Sequence, residues 1–73
     1  MDFPIELRKE NARTKVVFDV DKDMSDPWFI RISHRWIKSN KEFNANTIIK
    51  KDVDGYLSML IRKGYEIQNT DED

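Results

Sequence analysis

His34 is the sole histidine of the 73 residues and cysteine is absent, which narrows the available chemistry at once. A nucleophile needs a base within hydrogen-bond reach, and Ser33 stands directly before His34 in the run FIRISHRW. Adjacent side chains of a strand point to opposite faces, so the two cannot act together there. Without cysteine, neither disulfides nor thiolate metal sites can form. Asp19, Asp21 and Asp23 have the D-x-D-x-D spacing that opens a calcium-binding EF-hand loop, where hard oxygens converge on one cation. The sixth position of that loop would be Met24, where glycine makes the sharp turn. The twelfth would be Ile30, where a bidentate glutamate belongs. The run therefore reads as an acidic solvated turn. Gly55 and Gly64 are too few glycines for a phosphate cradle. No catalytic, metal-binding or cofactor-binding residue is expected, and the chain reads as non-enzymatic.

The elements that must position the remaining side chains follow from periodicity. Residues 3 to 9 alternate, with Phe3, Ile5 and Leu7 on one face, and Pro4 suggests an edge strand. Residues 14 to 20 alternate again, with Val16, Phe18 and Val20 opposite Lys15, Val17 and Asp19, so the two runs read as a hairpin. For residues 28 to 37, period two sets Trp28, Ile30, Ile32, His34 and Trp36 against Arg31, Ser33 and Arg35. Period 3.6 gathers Phe29, Ile32, Trp36 and Ile37 behind Pro27. The β-branched and aromatic content favours strand. Residues 38 to 45 are polar and Asn-rich, hence a loop.

From Thr47, the positions Ile49, Val53, Tyr56, Leu57, Leu60 and Ile61 have helical spacing, with Asn46 or Thr47 as N-cap and Gly64 as the stop. Tyr65, Glu66 and Ile67 add a short closing strand. The expected fold is α+β: a two-layer domain with a three- to four-stranded antiparallel sheet on one amphipathic helix, in the order β-β-β-α-β. Residues 1–73 form a single domain whose acidic end, 70–73, frays. One helix covers one face, so Val17, Phe29 and Ile37 are expected to leave an apolar patch on the other.

Charged residues make up 37% of the chain and hydrophobic ones 38%, with eight aromatics spread along it, so a folded core is expected over disorder. No apolar run approaches the roughly 18 residues of a membrane span. The beginning MDFPIELRKE lacks the basic-then-apolar layout of a secretory signal, so a cytoplasmic protein without membrane contact is expected. The net charge of −1 conceals an asymmetry: residues 28 to 63 hold eight Lys or Arg against three acids, leaving +5, and the rest carries −6. Arg31 and Arg35 share a strand face and Lys38 and Lys41 follow, so a basic stripe is expected across the sheet's open side.

The segment DVDGYLSMLIRKGYEI resembles, in apolar spacing, the last helix of winged helix-turn-helix domains, where a recognition helix leads through glycine and an aromatic into the wing. That resemblance covers about sixteen residues and implies nucleic-acid binding. It departs from the family in offering Asp52, Asp54 and Ser58 at exposed helix positions, where base edges call for basic or amide side chains.

The function expected from these features is a small protein-binding regulator or inhibitor acting on a macromolecular partner. Phe29 and Ile37 would supply apolar contact, and Arg31, Arg35, Lys38 and Lys41 charge. Eight isoleucines and eight lysines against two alanines suggest an AT-rich genome, and short free-standing chains of this kind are common in bacteriophages. The alternative is a nucleic-acid-binding module using the basic residues of 31 to 51, Lys50 and Lys51 included. A homodimer is a further occupant that an exposed apolar face admits.

Overall fold

The computed structural model describes residues 3–20 and 28–68. Strands β1 (Ile5–Lys9) and β2 (Thr14–Val20) form the expected hairpin, in register from Ile5 opposite Phe18 to Arg8 opposite Lys15. Asn11 closes its turn at φ 65°, a left-handed conformation that asparagine tolerates better than other non-glycine residues. Strand β3 (Phe29–Trp36) settles the strand–helix ambiguity in favour of period two. It pairs along the whole of β2, from Trp36 opposite Thr14 to Ile30 opposite Val20, and buries Ile30 and Ile32 completely.

Beyond β3 the expectation fails for a stretch. Residues 38 to 45 are not all loop, and no helix begins at Asn46 or Thr47. The chain turns at residues 37–41, with Asn40 at φ 61°, and returns as an antiparallel strand β4 (Glu42–Ile49). The physical reason is that β3 has a second edge to satisfy. Ile48 is needed opposite Ile30, where it packs against the core, and a helix starting at Thr47 would forfeit that pairing. The alternation was hard to read because β4 lies at the sheet's margin with most of its residues exposed, so its polar and apolar positions are under little pressure to separate.

A single 3₁₀ turn (Lys50–Asp52) leads into α1 (Val53–Arg62), which therefore starts later than its spacing suggests. Asp52 occupies the N-cap without a side-chain cap bond. Ile49 belongs to β4 and Ile61 points outward at 50% exposure. Val53, Tyr56, Leu57 and Leu60 form the inward stripe. Gly64, at φ 102°, stops the helix as expected. Strand β5 (Tyr65–Gln68) then pairs antiparallel with β1, Ile67 opposite Leu7.

The sheet thus has five antiparallel strands in the order β4-β3-β2-β1-β5, one more than the expected maximum, and the element order is β-β-β-β-α-β. Strand β1 is interior and not the edge that Pro4 suggests. Pro4 precedes the first ladder pair, so its missing N–H is not required by either neighbour. The core is one layer of Leu7, Val16, Phe18, Ile30 and Ile32 against Val53, Leu57 and Leu60, with the Tyr56 ring edge-on to Phe18 at 5.9 Å. The glycine after α1 leads into a strand that pairs with β1 in this sheet. The D-x-D-x-D reading at Asp21 and Asp23 and the acidic end 70–73 lie outside the described residues.

Candidate functional site

The face of the sheet turned away from α1 carries Glu6 and Arg8 from β1, Lys15, Val17 and Asp19 from β2, Phe29, Arg31, Ser33 and Arg35 from β3, and Ala45, Thr47 and Ile49 from β4. Acids meet bases across this surface. Arg31 donates to Glu42 through its two terminal guanidinium nitrogens, each at 2.6 Å, and Glu6 receives Arg8 Nε at 2.5 Å and Lys15 Nζ at 3.4 Å. Arg35 Nε donates to Ser33 Oγ at 3.1 Å. The long side chains lie along the sheet and cover their neighbours: Lys15 is 8% and Ser33 3% exposed with no helix over them. Burial alone would raise the Glu6 carboxyl, but the Arg8 hydrogen bond and the charges of Lys15 and Arg8 outweigh it and hold the group below its ordinary value. The hydrogen bond from Arg31 does the same for Glu42.

Arg31 and Arg35 do share a face, as their spacing requires, but the stripe around them is mixed in charge because β4 brings Glu42 beside Arg31. Of the apolar residues expected there, Val17 and Phe29 are half-buried and Phe29 stands opposite Ile49. Ile37, Lys38 and Lys41 lie apart from them in the turn after β3.

That turn belongs to a second surface. The Ile37 N–H donates to the Arg13 carbonyl at 2.9 Å, which fixes the β3–β4 turn beside the β1–β2 turn at one end of the sheet. Here Trp36 is 45% and Phe43 51% exposed, their rings 5.0 Å apart, with His34 6.3 Å from Phe43 on the other side. These rings lie on the helix side of the sheet yet outside the core, and length explains it. A helix of ten residues spans about 15 Å and a strand of eight about 26 Å, so α1 cannot cover β3 and β4 to their ends. Phe43 is brought to the tryptophan by an irregularity in pairing: His34 lies opposite Asn44 and Arg35 opposite Glu42, leaving Phe43 as the extra residue of a bulge. Beside Trp36 a depression of about 520 Å³ is lined by Ala12, Arg13, Trp36, Ile37 and Lys38. Arg13, Lys38 and Lys41 are exposed, and among the described residues none of them is in an ion pair. Neither Phe43 nor Arg13 is among the residues expected to bind; the one signal for Phe43 is an apolar ring within a polar tract.

Among the described residues, no group of three or more His, Asp or Glu is placed to hold a metal ion, and no helix is long and apolar enough to cross a membrane. Comparison with protein-family models, with curated proteins and with solved structures finds no match to this chain.

Proposed function

We infer that the protein is a non-enzymatic binding module that docks an acidic protein partner through the turn end of its sheet and so acts as a regulator or inhibitor of that partner. The observation that carries this reading is the exposed Trp36–Phe43 pair, set next to a depression of about 520 Å³ that Arg13 and Lys38 line, with Lys41 held beside Trp36 by the Trp36 N–H bond to its carbonyl. Aromatic anchors beside a recess, with cations at the rim, are the usual makings of an interaction hot spot. Of the residues expected to bind, Ile37, Lys38 and Lys41 belong to this surface. Phe29, Arg31 and Arg35 form the opposite face, where Arg31 is already neutralised by Glu42.

Capture from a nuclease-treated lysate tests the reading. Wild-type protein is expected to retain a stoichiometric acidic protein that Trp36→Ala and Phe43→Ala both lose. Retention of the same protein by both variants would overturn the assigned surface. The same pair of rings with three cations also favours a second reading, stacking on a single-stranded nucleic acid. Micromolar binding of an oligonucleotide with a steep salt slope, abolished by Trp36→Ala, would select it over the first.

A further inference from the structure

The two margins of the sheet are unequal. Strand β5 has four residues, with Glu66 at its centre, whereas β4 has eight, and from Phe43 to Ile49 it contains no charge and no proline. Charged residues, prolines, short length and bulges are the devices by which sheet edges are kept from pairing; β4 has none of the first three over that stretch, and its one bulge, at Phe43, lies at the far end from Ala45 to Ile49. Its orientation follows from one bond. Lys50 N–H donates to the Trp28 carbonyl at 2.5 Å, so by the alternation of an antiparallel ladder Ile48 and Asn46 bond inward to β3, while Ala45, Thr47 and Ile49 turn their N–H and C=O groups outward. The Ala45 N–H confirms the direction, since it is met by the carboxamide of its own neighbour, Asn44 Oδ1, at 3.0 Å. Among the described residues nothing pairs beyond β4.

We propose that this edge is a self-association site, at which β4 pairs antiparallel with β4 of a second copy about a twofold axis at Thr47. The register is dictated by the outward groups. Thr47 lies opposite Thr47 of the second copy and Ala45 opposite Ile49 of the second copy, so every outward residue exchanges bonds, about six in all. The side chains agree with it. The exposed Ile49 is set against the small Ala45, the two threonines meet at the axis, and Asn46 faces Ile48. No like charges are brought together within the strand, which is what a second copy requires and what a charged edge would forbid. Asn44 releases the Ala45 N–H when the second strand arrives. Edge pairing of this length buries less than the roughly 1,200 Å² of a standard interface, so association is expected at about 10 to 100 μM.

Sedimentation equilibrium over that range, on the whole chain, is the test. Wild type is expected to move from the 8.8 kDa monomer to twice that mass. Thr47→Lys puts identical charges face to face at the axis and is expected to weaken association at least about tenfold, while Ser58→Lys on the exposed side of α1 leaves it unchanged. A monomer throughout, or equal association of the Thr47→Lys protein, overturns the proposal. Amide exchange on unmodified protein gives a readout free of any folding defect. Protection of the Thr47 and Ile49 amides is expected to rise with concentration, and fast exchange in a sample that is dimeric by mass overturns the β4 interface.

Discussion

Trp36 and Phe43 are the kind of side chain that a chain of 73 residues would be expected to spend on its core, yet each keeps about half its surface in water. Because neither joins the core layer, replacing either by alanine is expected to shift unfolding free energy by less than about 1 kcal/mol, whereas a buried aromatic costs about 3 to 5 kcal/mol. Calorimetry compared with partner binding separates the two roles: binding weakened at least about thirtyfold with little loss of stability marks a contact residue. Glu6 allows a second prediction. Its carboxyl is held below the ordinary value, so its contribution to stability is complete at neutral pH and is lost as pH falls below about 4.5 through the lowered value. Melting followed from pH 7 to pH 3 is expected to show this loss, and Glu6→Gln is expected to shrink it. A Glu6→Gln profile as steep as wild type would mean that other carboxylates dominate. The identity of the chemically capable residues was plain in the sequence. The neutralisation of Arg31 was not, because Glu42 is eleven residues away and reaches it only through the pairing of β3 with β4.

At the scale of elements, the two glycines make opposite predictions. Gly55 lies inside α1 with nothing within 4 Å of an added Cβ, so Gly55→Ala is expected to stabilise by about 0.5 to 1 kcal/mol. Gly64 stands at φ 102°, where a Cβ is strained whatever the space, and Gly64→Ala is expected to destabilise by about 1 to 2 kcal/mol. Denaturant titration of both variants checks the pair. Phe18→Ala, at 0% exposure in the centre of β2, is expected to cost about 3 to 5 kcal/mol and to leave the domain close to unfolding at this size. Strands β2 and β3 were legible because one face joins the apolar core and the other is mostly polar, which forces period two. Strand β4 was not. At the margin of the sheet little is buried, local composition then resembles a loop, and Ile49 fell by chance into the helical stripe that begins at Val53.

For the whole molecule, the near-neutral charge is a cancellation in sequence that the fold partly repeats in space. Pairing β1, β2 and β3 interleaves acids and bases on the open face, while the turn end keeps Arg13, Lys38 and Lys41 unpaired among the described residues. Binding of an acidic partner there is expected to lose association rate as salt rises from 50 to 500 mM, with dissociation changing far less, and stopped-flow mixing measures both. Equal effects on the two rates would argue against a cationic rim.

The class of fold, the hairpin, four inward positions of α1 (Val53, Tyr56, Leu57 and Leu60) and its stop at Gly64 are legible in the chain alone, because each depends on local periodicity or on the backbone freedom of one residue; Ile49 and Ile61 share that spacing without sharing that burial. That β3 has a partner on both sides, that Arg31 is paired with Glu42, and that Trp36 and Phe43 stand together half in water came from the folded arrangement. Those outcomes depend on which strand lies beside which, and on a helix too short to cover the strands it packs against.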